Sequence, residues 1–595
     1  MAERPIGRNV ISRDRFSRLI SLGDRNNPSS WSPCLILGEE DPEVPISIAP
    51  LVSKSDISAI PSSTKIRTRS KLCFPFESEE EESWSFGNGL ALPPSLVDSN
   101  SGEFGFGKEV IPVTWNSLHN DSSLLDLEYQ PSIIVLMDAP QLANNRGMLE
   151  RAILTIRTSF PSSLIWAAGI SGPDNCALLS WMGVDIFDMA RSRQANSLGV
   201  LLTENGPRLP EPSTGEDLDM DLQAKLWINA ISATRSAIRD GSLRELAERQ
   251  STSSPRSVEH LRIHDQISYQ ITDRIGITDS CVEVGKILRC HSFESRNDAT
   301  IRLWRDNISQ KYVPPPHQKE ILILLPCSAK KPYKLSPSHA SFRKQIGDIR
   351  AHEIMVTAPL GLVPRELEDL WPAAHYDIPV TGDWDADELV MIYDMLDQLI
   401  DRVGYSTVIN HSGLDYKSKI TNVINTRVRE SARSKDALAR LSREVKSACT
   451  GLNDVPAELS HRIEKLKSIS RFIHGFDDWL NGCQVRGRPP ILTIIKNGDQ
   501  MAKWDPRRGR FLMSKACIRS MHDNDSLKVV ELLDEVDWVG DIFPNMVKRN
   551  DSNILVGDEI RVIQTGKLLG SARVLAPGWE WPHGPGKLAK SRHRI

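Results

Sequence analysis

The sequence contains no pair of cysteines spaced as C-x-x-C and no long apolar run. Its nine cysteines are scattered over 595 residues, so neither a disulfide framework nor a zinc ribbon is indicated, and we expect no bound metal. No hydrophobic stretch approaches the length that crosses a bilayer, and the first residues, MAERPIGRNVISRDRF, carry charges where a signal peptide needs an apolar core. These absences predict a soluble, cytoplasmic protein without a membrane partner.

The chain is too long for one hydrophobic core, and its composition is that of an ordinary globular protein. Hydrophobic residues make up 40% and charged residues 25% of the chain, and this length predicts about three to five domains. The net charge is −4, yet residues 541–595 hold nine Lys and Arg against five Asp and Glu. The basic C-terminal end favours a polyanionic partner.

The first half of the chain alternates strand-like with helix-like segments from residue 133 onward. We predict strands at 133–138, 163–169 and 184–188, and helices at 142–159, 175–182 and 222–248, the last split at Asp240-Gly241. Such alternation predicts a parallel sheet or barrel with any ligand at the carboxyl ends of the strands.

A second α/β pattern follows, and then a β-rich end. We predict strands at 321–325, 353–358 and 406–410, a helix at 385–400 opened by a capping box of Asp385 and Glu388, and charged helices at 416–448 and 455–474. After residue 486, short strands between Gly or Asn-Asp turns predict a small barrel or sandwich.

The loop after strand 321–325 has the composition of a functional site. It reads PCSAKKPYKLSPSH over residues 326–339 and stands where open α/β sheets place their ligands. Two interpretations compete. Cys327 with nearby lysines and His339 could form a nucleophilic site, or a proline-rich loop could simply end a strand with a buried cysteine and surface lysines.

This loop resembles the signature of the archaeosine synthases, Pro-Cys-x3-Lys-Pro-Tyr-x2-Ser-x2-His. The matching residues are Pro326, Cys327, Lys331, Pro332, Tyr333, Ser336 and His339. A second block, from Ala358 to Glu388, is similar to the same family. Upstream, GVDIFD (183–188), LLTENG (201–206) and SAIRDGSLRELAER (236–249) resemble a tRNA-guanine transglycosylase barrel, and the segments VDWVGDIFPNMV, ILVGDEIRVI and GPGKLAKSRHRI resemble a PUA domain, a small RNA-binding β-barrel.

The resemblance implies a multidomain α/β protein with four parts. These are a degenerate TIM-like transglycosylase barrel over residues 1–255, a central α/β core domain over 256–460 that holds the motif, a small α+β domain over 461–525, and a PUA domain over 526–595. The implied activity is addition of an amine to the nitrile of 7-cyano-7-deazaguanine in the D-loop of tRNA, towards archaeosine, by a tRNA amidinotransferase or lysine transferase that needs no cofactor. The implied partners are tRNA and free lysine or glutamine; a radical S-adenosylmethionine lyase and a second copy of this chain are further options.

The motif residues expected to be catalytic are Cys327, Lys331, Tyr333, Ser336 and His339. In a covalent route the Cys327 thiolate attacks the nitrile carbon and an amine then displaces sulfur, while Lys331 lowers the thiol pKa and His339 or Tyr333 moves a proton. In a second route the pocket holds a neutral amine against the nitrile without a covalent step. The sequence leaves both open.

Donor and substrate contacts are expected from six further residues: Lys330, Arg365, Glu366, Tyr376, Asp377 and Asp383. Arg365 is the preferred carboxylate binder because its guanidinium matches that geometry. Asp385 is explained by helix capping alone.

Asp185 stands at the position of the transglycosylase nucleophile, with a structural aspartate at a strand end as the alternative. No zinc-binding cysteine set follows LLTENG, so we interpret the barrel as degenerate. The basic residues expected to contact tRNA phosphates are Lys548, Arg549, Lys587, Lys590, Arg592 and Arg594, with Trp579 and Trp581 stacking on bases. A base-exchanging transglycosylase and a non-catalytic tRNA-binding scaffold remain the rival functions.

Overall fold

The computed structural model describes residues 6–24, 26–53, 64–68, 83–86, 109–125, 130–379, 384–418, 421–427, 429–452 and 458–595. They form two compact units. The first comprises residues 1–278, 535–556 and 574–590, and the second comprises residues 279–534, 557–573 and 591–595. Within the described ranges, no helix combines the length and the apolar character that a bilayer crossing requires.

The first unit contains nine helices among its described residues. They are α1 (Trp115–Asn120), α2 (Ser122–Leu125), α3 (Ala139–Ala143), α4 (Met148–Ser159), α5 (Cys176–Met182), α6 (Ala190–Ser197), α7 (Met220–Asp240), α8 (Leu243–Ser251) and α9 (Pro255–Ile271). The predicted interruption at Asp240-Gly241 is confirmed, because Gly241 ends α7 in the left-handed conformation. The predicted single helix at 142–159 is wrong: α3 and α4 are separate, and Gly147 at φ 74° precedes α4.

The N-terminal strands of this unit form a three-stranded sheet, an eight-stranded sheet and a hairpin. They are β1 (Arg8–Asp14), β2 (Ser17–Leu22), β3 (Ser30–Ser32), β4 (Cys34–Leu37), β5 (Leu51–Ser53), β6 (Thr64–Thr68), β7 (Ser83–Phe86), β8 (Val110–Val113), β9 (Ile133–Leu136), β10 (Leu164–Ala167), β11 (Ile186–Asp188), β12 (Leu201–Thr203) and β13 (Gly206–Arg208). The eight-stranded sheet has the order β7-β6-β5-β4-β11-β10-β9-β8.

Six neighbouring strands of that sheet, β5 to β8 in sheet order, run parallel. Strands β4, β8, β9 and β10 are buried along their whole length, as expected where a parallel sheet is covered on both faces. The expectation of parallel strands with intervening helices is thus confirmed. A closed transglycosylase-like barrel stays a prediction.

The second unit is built around a mixed five-stranded sheet. Its described elements up to residue 474 are β14 (Leu288–Arg289), α10 (Ala299–Asp306), β15 (Ile321–Pro326), α11 (Pro337–Ile346), β16 (Ala351–Thr357), β17 (Gly361–Pro364), β18 (Tyr376–Asp377), α12 (Ala386–Val403), β19 (Thr407–Asn410), β20 (Asn422–Asn425), α13 (Lys435–Cys449) and α14 (Glu458–His474). The sheet order is β17-β16-β15-β19-β20, and only β17 is antiparallel to its neighbour.

Strand β15 is the first of these strands in the chain and lies in the middle of the sheet. The chain goes from β15 to β16 on one side and later to β19 on the other side. The connections therefore leave β15 in opposite directions, and this arrangement opens a crevice outside the carboxyl ends of the strands. The motif loop begins at this crevice.

Two predictions about the helices of this unit have different outcomes. The capping box of Asp385 and Glu388 at the start of α12 is confirmed. The predicted helix over 416–448 is wrong in its first part, because Asn422–Asn425 pairs in parallel with β19 and the helix begins only at Lys435. The β-branched residues of NVIN favour a strand.

The C-terminal part is β-rich as predicted. Its elements are β21 (Gln484–Arg486), β22 (Leu492–Lys496), β23 (Asp499–Asp505), β24 (Arg510–Met513), α15 (Lys515–Asp523), β25 (Val529–Leu532), β26 (Val547–Asn550), β27 (Glu559–Gln564), β28 (Lys567–Val574) and β29 (Ala589–Arg594). Strands β21 to β24 form an antiparallel meander, β25 pairs in parallel with β27, and β27 pairs antiparallel with β28. The PUA assignment and the four domain boundaries stay predictions.

Candidate active site

Cys327 lies immediately after β15, at the crevice on the carboxyl edge of the central sheet. It is half-buried, whereas the other seven described free cysteines are buried. Burial raises the pKa of its thiol, and a hydrogen bond with Thr357 and the charge of Lys331 oppose that effect. Cys327 is therefore the one described cysteine that combines partial access with polar neighbours.

The Lys331 amine is close enough to this thiol for the charge of each group to affect the pKa of the other. Its Nζ is 4.0 Å from the centre of the Tyr376 ring, a cation–π contact. Burial lowers the pKa of Lys331, while Cys327 and Asp377 raise it. Since burial also raises the pKa of Cys327, the two groups are closer in proton affinity than a thiol and an amine in water. A proton can therefore pass between sulfur and nitrogen in either direction.

Three buried hydroxyls extend away from the thiol. The Tyr376 hydroxyl lies 2.7 Å from Thr357 Oγ1 and 2.5 Å from the Tyr333 hydroxyl. Burial raises the pKa of both tyrosines, so both stay protonated and keep their capacity to donate. The sequence prediction included Tyr333 and Tyr376 but missed Thr357. The predicted strand 353–358 gave a signal for Thr357. If this strand runs parallel to β15, as it does in the structure, its last residues lie at the same carboxyl edge of the sheet.

His339 lies on α11 with its side chain fully buried. Arg365 donates a hydrogen bond of 3.0 Å to its Nδ1, and the rings of Tyr333 and Phe342 are each 5.3 Å away. Burial, assisted by the charge of Arg365, lowers the pKa of His339 to about 3. The imidazole is therefore neutral at physiological pH, and its contacts suit a role in positioning the motif loop.

Ser336 occupies the N-cap position of α11, and its hydroxyl is 2.7 Å from that of Ser338. Its backbone N–H donates to the carbonyl of Tyr333. These contacts hold the turn between the motif and α11.

Arg365 is occupied by protein carboxylates. Its Nη2 donates to Glu353 over 2.6 Å and its Nη1 donates to Glu368 over 3.0 Å, while the whole residue is only 8% exposed. A guanidinium engaged in this way suits a structural clamp beside His339 better than the capture of a donor's carboxylate.

Glu366 faces a different part of the unit. It accepts a hydrogen bond from Tyr312 and lies 3.6 Å from His352 Nε2, and its pKa is lowered to about 2, burial being outweighed by His352 and Tyr312. His352 is level with Leu322 at the start of β15, at the amino end of the sheet. The structure thus does not bring Glu366 together with Cys327.

The remaining predicted contacts lie on the rim or outside the described residues. Asp377 is largely exposed and lies 3.5 Å from His291 Nε2, and Lys330 is exposed. Both could meet a polar ligand that enters the crevice. Asp383 lies outside the described residues.

Asp185 is in the first unit and is 1% exposed. It is ion-paired with Arg157, and Ile165 N–H donates to its Oδ2 over 2.9 Å. A carboxylate so buried and paired is suited to holding β10 and β11 together.

The residues predicted to bind tRNA are partly accessible. Lys548, Arg549, Lys590, Arg592 and Arg594 are exposed. Lys587 is ion-paired with Asp541 at 2.5 Å. The prediction that Trp579 and Trp581 stack on bases is wrong for this structure: they are 2% and 7% exposed. Both indoles are used by the fold, since Trp579 packs against Phe16 and Trp581 donates to the carbonyl of Ala576.

Within the described ranges, no cluster of three or more His, Cys, Asp or Glu side chains could hold a metal ion.

Comparison with known proteins shows that this site lies within a segment that matches a protein-family model. Residues 301–445, which contain β15 and the motif loop, match the family described as "Domain of unknown function (DUF5591)". The chain is 27% identical over 448 residues to the archaeosine synthase subunit alpha of Thermoplasma acidophilum, which covers 74% of this chain and 83% of the relative. It is 26% identical over 484 residues to the archaeosine synthase of Methanocaldococcus jannaschii, over 77% and 80% of the two chains.

A solved structure, AF0587, a protein of unknown function, aligns with 49% of this chain and 99% of its own at 21% identity, with a TM-score of 0.40. The resemblance to archaeosine synthases read from the motif is confirmed: this chain is their homologue over most of its length.

Proposed function

We propose that this chain is an archaeosine synthase-type tRNA-modifying enzyme. It adds an amine donor to the nitrile of 7-cyano-7-deazaguanine in the D-loop of tRNA, towards archaeosine. The observation that carries the proposal is the crevice at the carboxyl end of β15, where Cys327, Lys331 and a chain of buried hydroxyls meet. The named relatives supply the substrate class.

The covalent route fits this arrangement. The Cys327 thiol gives its proton to the Lys331 amine, sulfur forms a bond to the nitrile carbon, and the Lys331 ammonium passes the proton on to the nitrile nitrogen to give a thioimidate. The nitrogen of the donor then attacks the same carbon, the C–S bond breaks, and the thiol is regenerated with an amidine as product. The charge of the Lys331 ammonium can stabilise the negative charge that develops on the nitrile nitrogen.

The donor is free lysine or a nitrogen from glutamine. If it is lysine, the adduct still carries the lysine carbon chain, and a separate radical S-adenosylmethionine lyase would have to cleave it. Base exchange is not proposed, because the transglycosylase position Asp185 is buried in an ion pair with Arg157. A pure scaffold would not require a half-buried cysteine beside a lysine.

Mass spectrometry of nitrile-bearing tRNA tests the proposal. The tRNA is incubated with the full chain and, separately, with lysine, glutamine or ammonium, and the nucleosides are then analysed. We expect a mass gain equal to lysine or to ammonia with one of the donors. Labelled guanine in a parallel reaction, with a tRNA-guanine transglycosylase as positive control, should not enter the tRNA. No gain with any donor, while the tRNA still binds, would contradict the proposal.

A further inference from the structure

Thr357 links the thiol of the crevice to two tyrosines. It is the last residue of β16, and it is 1% exposed. Because Pro326 pairs in parallel with Val356, Cys327 and Thr357 are level at the ends of neighbouring strands, and Thr357 lowers the pKa of the thiol against the effect of burial. The Thr357 hydroxyl lies 2.7 Å from the hydroxyl of Tyr376, which in turn lies 2.5 Å from that of Tyr333. It also donates to the carbonyl of Ala358 over 3.2 Å. The three hydroxyls thus form one buried hydrogen-bonded chain that ends beside Cys327.

The number of hydroxyl protons limits which group of this hydrogen-bonded chain can donate to which. A hydroxyl has one proton to donate and two lone pairs to accept with. While Thr357 donates to the carbonyl of Ala358, it can only accept from the thiol and from Tyr376. Once the thiol has lost its proton, the Thr357 hydroxyl can turn and donate to sulfur, with Tyr376 donating to Thr357 and Tyr333 donating to Tyr376. Aligned hydrogen bonds polarise one another and stabilise the charge at their end.

We propose that Thr357 is a positioning residue of this site, which holds the Cys327 sulfur and, with Tyr376 and Tyr333 behind it, stabilises the thiolate. The S–H bond breaks, the proton forms an N–H bond with the Lys331 amine, and no oxidant or reductant takes part. The inference rests on the proposed function only for the identity of the electrophile. The reactivity of the thiol itself is a property of the protein without tRNA.

Alkylation of the full chain by iodoacetamide, without tRNA, tests this inference. The rate is followed at the Cys327 peptide by mass spectrometry from pH 6 to 10, with Cys327→Ser as the blank. Thr357→Val keeps the shape of the side chain and removes the hydroxyl. We expect its rate at pH 7.5 to fall about tenfold, because a hydrogen bond to a charged group is lost, and its pH midpoint to rise. Thr357→Ser should restore the rate to within about twofold.

Tyr376→Phe removes the next hydroxyl of the hydrogen-bonded chain, one step further from sulfur. It should lower the alkylation rate less than Thr357→Val does. Circular dichroism confirms that each variant is folded. Equal midpoints in the wild type and Thr357→Val would overturn the inference. If Thr357→Val does not fold, Tyr376→Phe decides, and an unchanged rate in that variant overturns it as well. A shifted midpoint together with no tRNA modification would refute the proposed function and leave the role of Thr357 standing.

Discussion

Cys327 and Lys331 lie on one short loop, yet their pKa values depend on burial and on residues of other strands. Burial raises the pKa of the thiol and lowers the pKa of the amine, and Thr357 and Tyr376 supply the polar contacts. His339, the other titratable residue of the motif, is buried in neutral form against Arg365. We therefore propose that the thiol and the amine are the groups that exchange a proton in the reaction.

The pH dependence of amine addition follows from these directions. The pKa of the Cys327 thiol is raised, so the thiolate is scarce at neutral pH and increases as the pH rises. We expect the initial rate, measured under single-turnover conditions, to rise steadily from pH 6.5 to 9. His339, with a pKa of about 3, should contribute no limb in this range. A limb near pH 6.5 that disappears in His339→Gln would contradict this assignment.

Replacement of Arg365 by alanine should destabilise the second unit. The change removes the guanidinium from the buried carboxylate of Glu368 and from the partly buried carboxylate of Glu353, and breaking such a pair costs about 3 kcal/mol of unfolding free energy. Arg443, whose side chain is 69% exposed beside Glu444, provides the matched control, for which we expect a loss of about 0.5 kcal/mol or less. Urea denaturation measures both.

A second variant, Arg365→Lys, distinguishes the two roles considered for Arg365, which are binding of the donor's carboxylate and a structural clamp. If Arg365→Lys raised the KM for the donor without a change in unfolding free energy, Arg365 would be a donor-binding residue and the clamp described above would be wrong. A loss of stability at an unchanged KM supports the clamp.

At the scale of single elements, β29 carries the basic residues that best suit contact with RNA. Lys590, Arg592 and Arg594 alternate along this strand, and all three are exposed. Because residues two apart in a strand point to the same face, the three side chains form one basic stripe. Arg592 Nε also lies 3.7 Å from Glu559 Oε2, and this carboxylate partly offsets the positive charge of the stripe.

Replacing all three residues of this stripe by alanine should weaken tRNA binding and reduce its salt dependence. Each lost phosphate contact lowers the slope of log K against log salt by about 0.7 to 0.9. Filter binding from 50 to 300 mM KCl measures the slope, and a triple replacement of exposed Lys503, Lys515 and Arg519 serves as a control of equal charge. An unchanged slope in the β29 variant would remove this strand from the tRNA-binding surface.

The elements themselves were predictable where the sequence pattern is regular. The buried strands, the capped helix α12 and the break after α7 follow from apolar runs, a capping box and a glycine. The strand at 422–425 was missed, because two β-branched residues in four give only a short signal and the parallel pairing with β19 decides the conformation. The burial of Trp579 was equally hidden, since this residue packs against Phe16, which is more than 500 positions away in the chain.

For the site, the motif loop identified Cys327, Lys331 and Tyr333. The neighbouring strand was predicted at 353–358, but its contribution of Thr357 to the site was not. Thr357 enters the crevice through the parallel pairing of β16 with β15, and Arg365 is held by Glu353 of the same strand. Contacts of this kind depend on the order of strands in the sheet, which a single sequence does not give. Spacing along the chain likewise placed Glu366 next to Arg365, although the sheet separates Glu366 from Cys327.

At the scale of the whole molecule, the chain combines a first unit with a parallel sheet and a second unit that carries the crevice. In the first unit, the position of a transglycosylase nucleophile is used as a buried ion pair. In the second unit, a topological reversal at β15 exposes one cysteine beside a lysine. We therefore propose that the second unit carries out the chemistry on the tRNA base.

The most direct test of this account compares nitrile-bearing tRNA treated with the wild type, with Cys327→Ser and with Cys483→Ser, whose cysteine is buried in the same unit. The account predicts that Cys327→Ser loses amine addition at least a hundredfold while it binds tRNA as the wild type does, and that Cys483→Ser keeps its activity. Full activity of Cys327→Ser would contradict the covalent route.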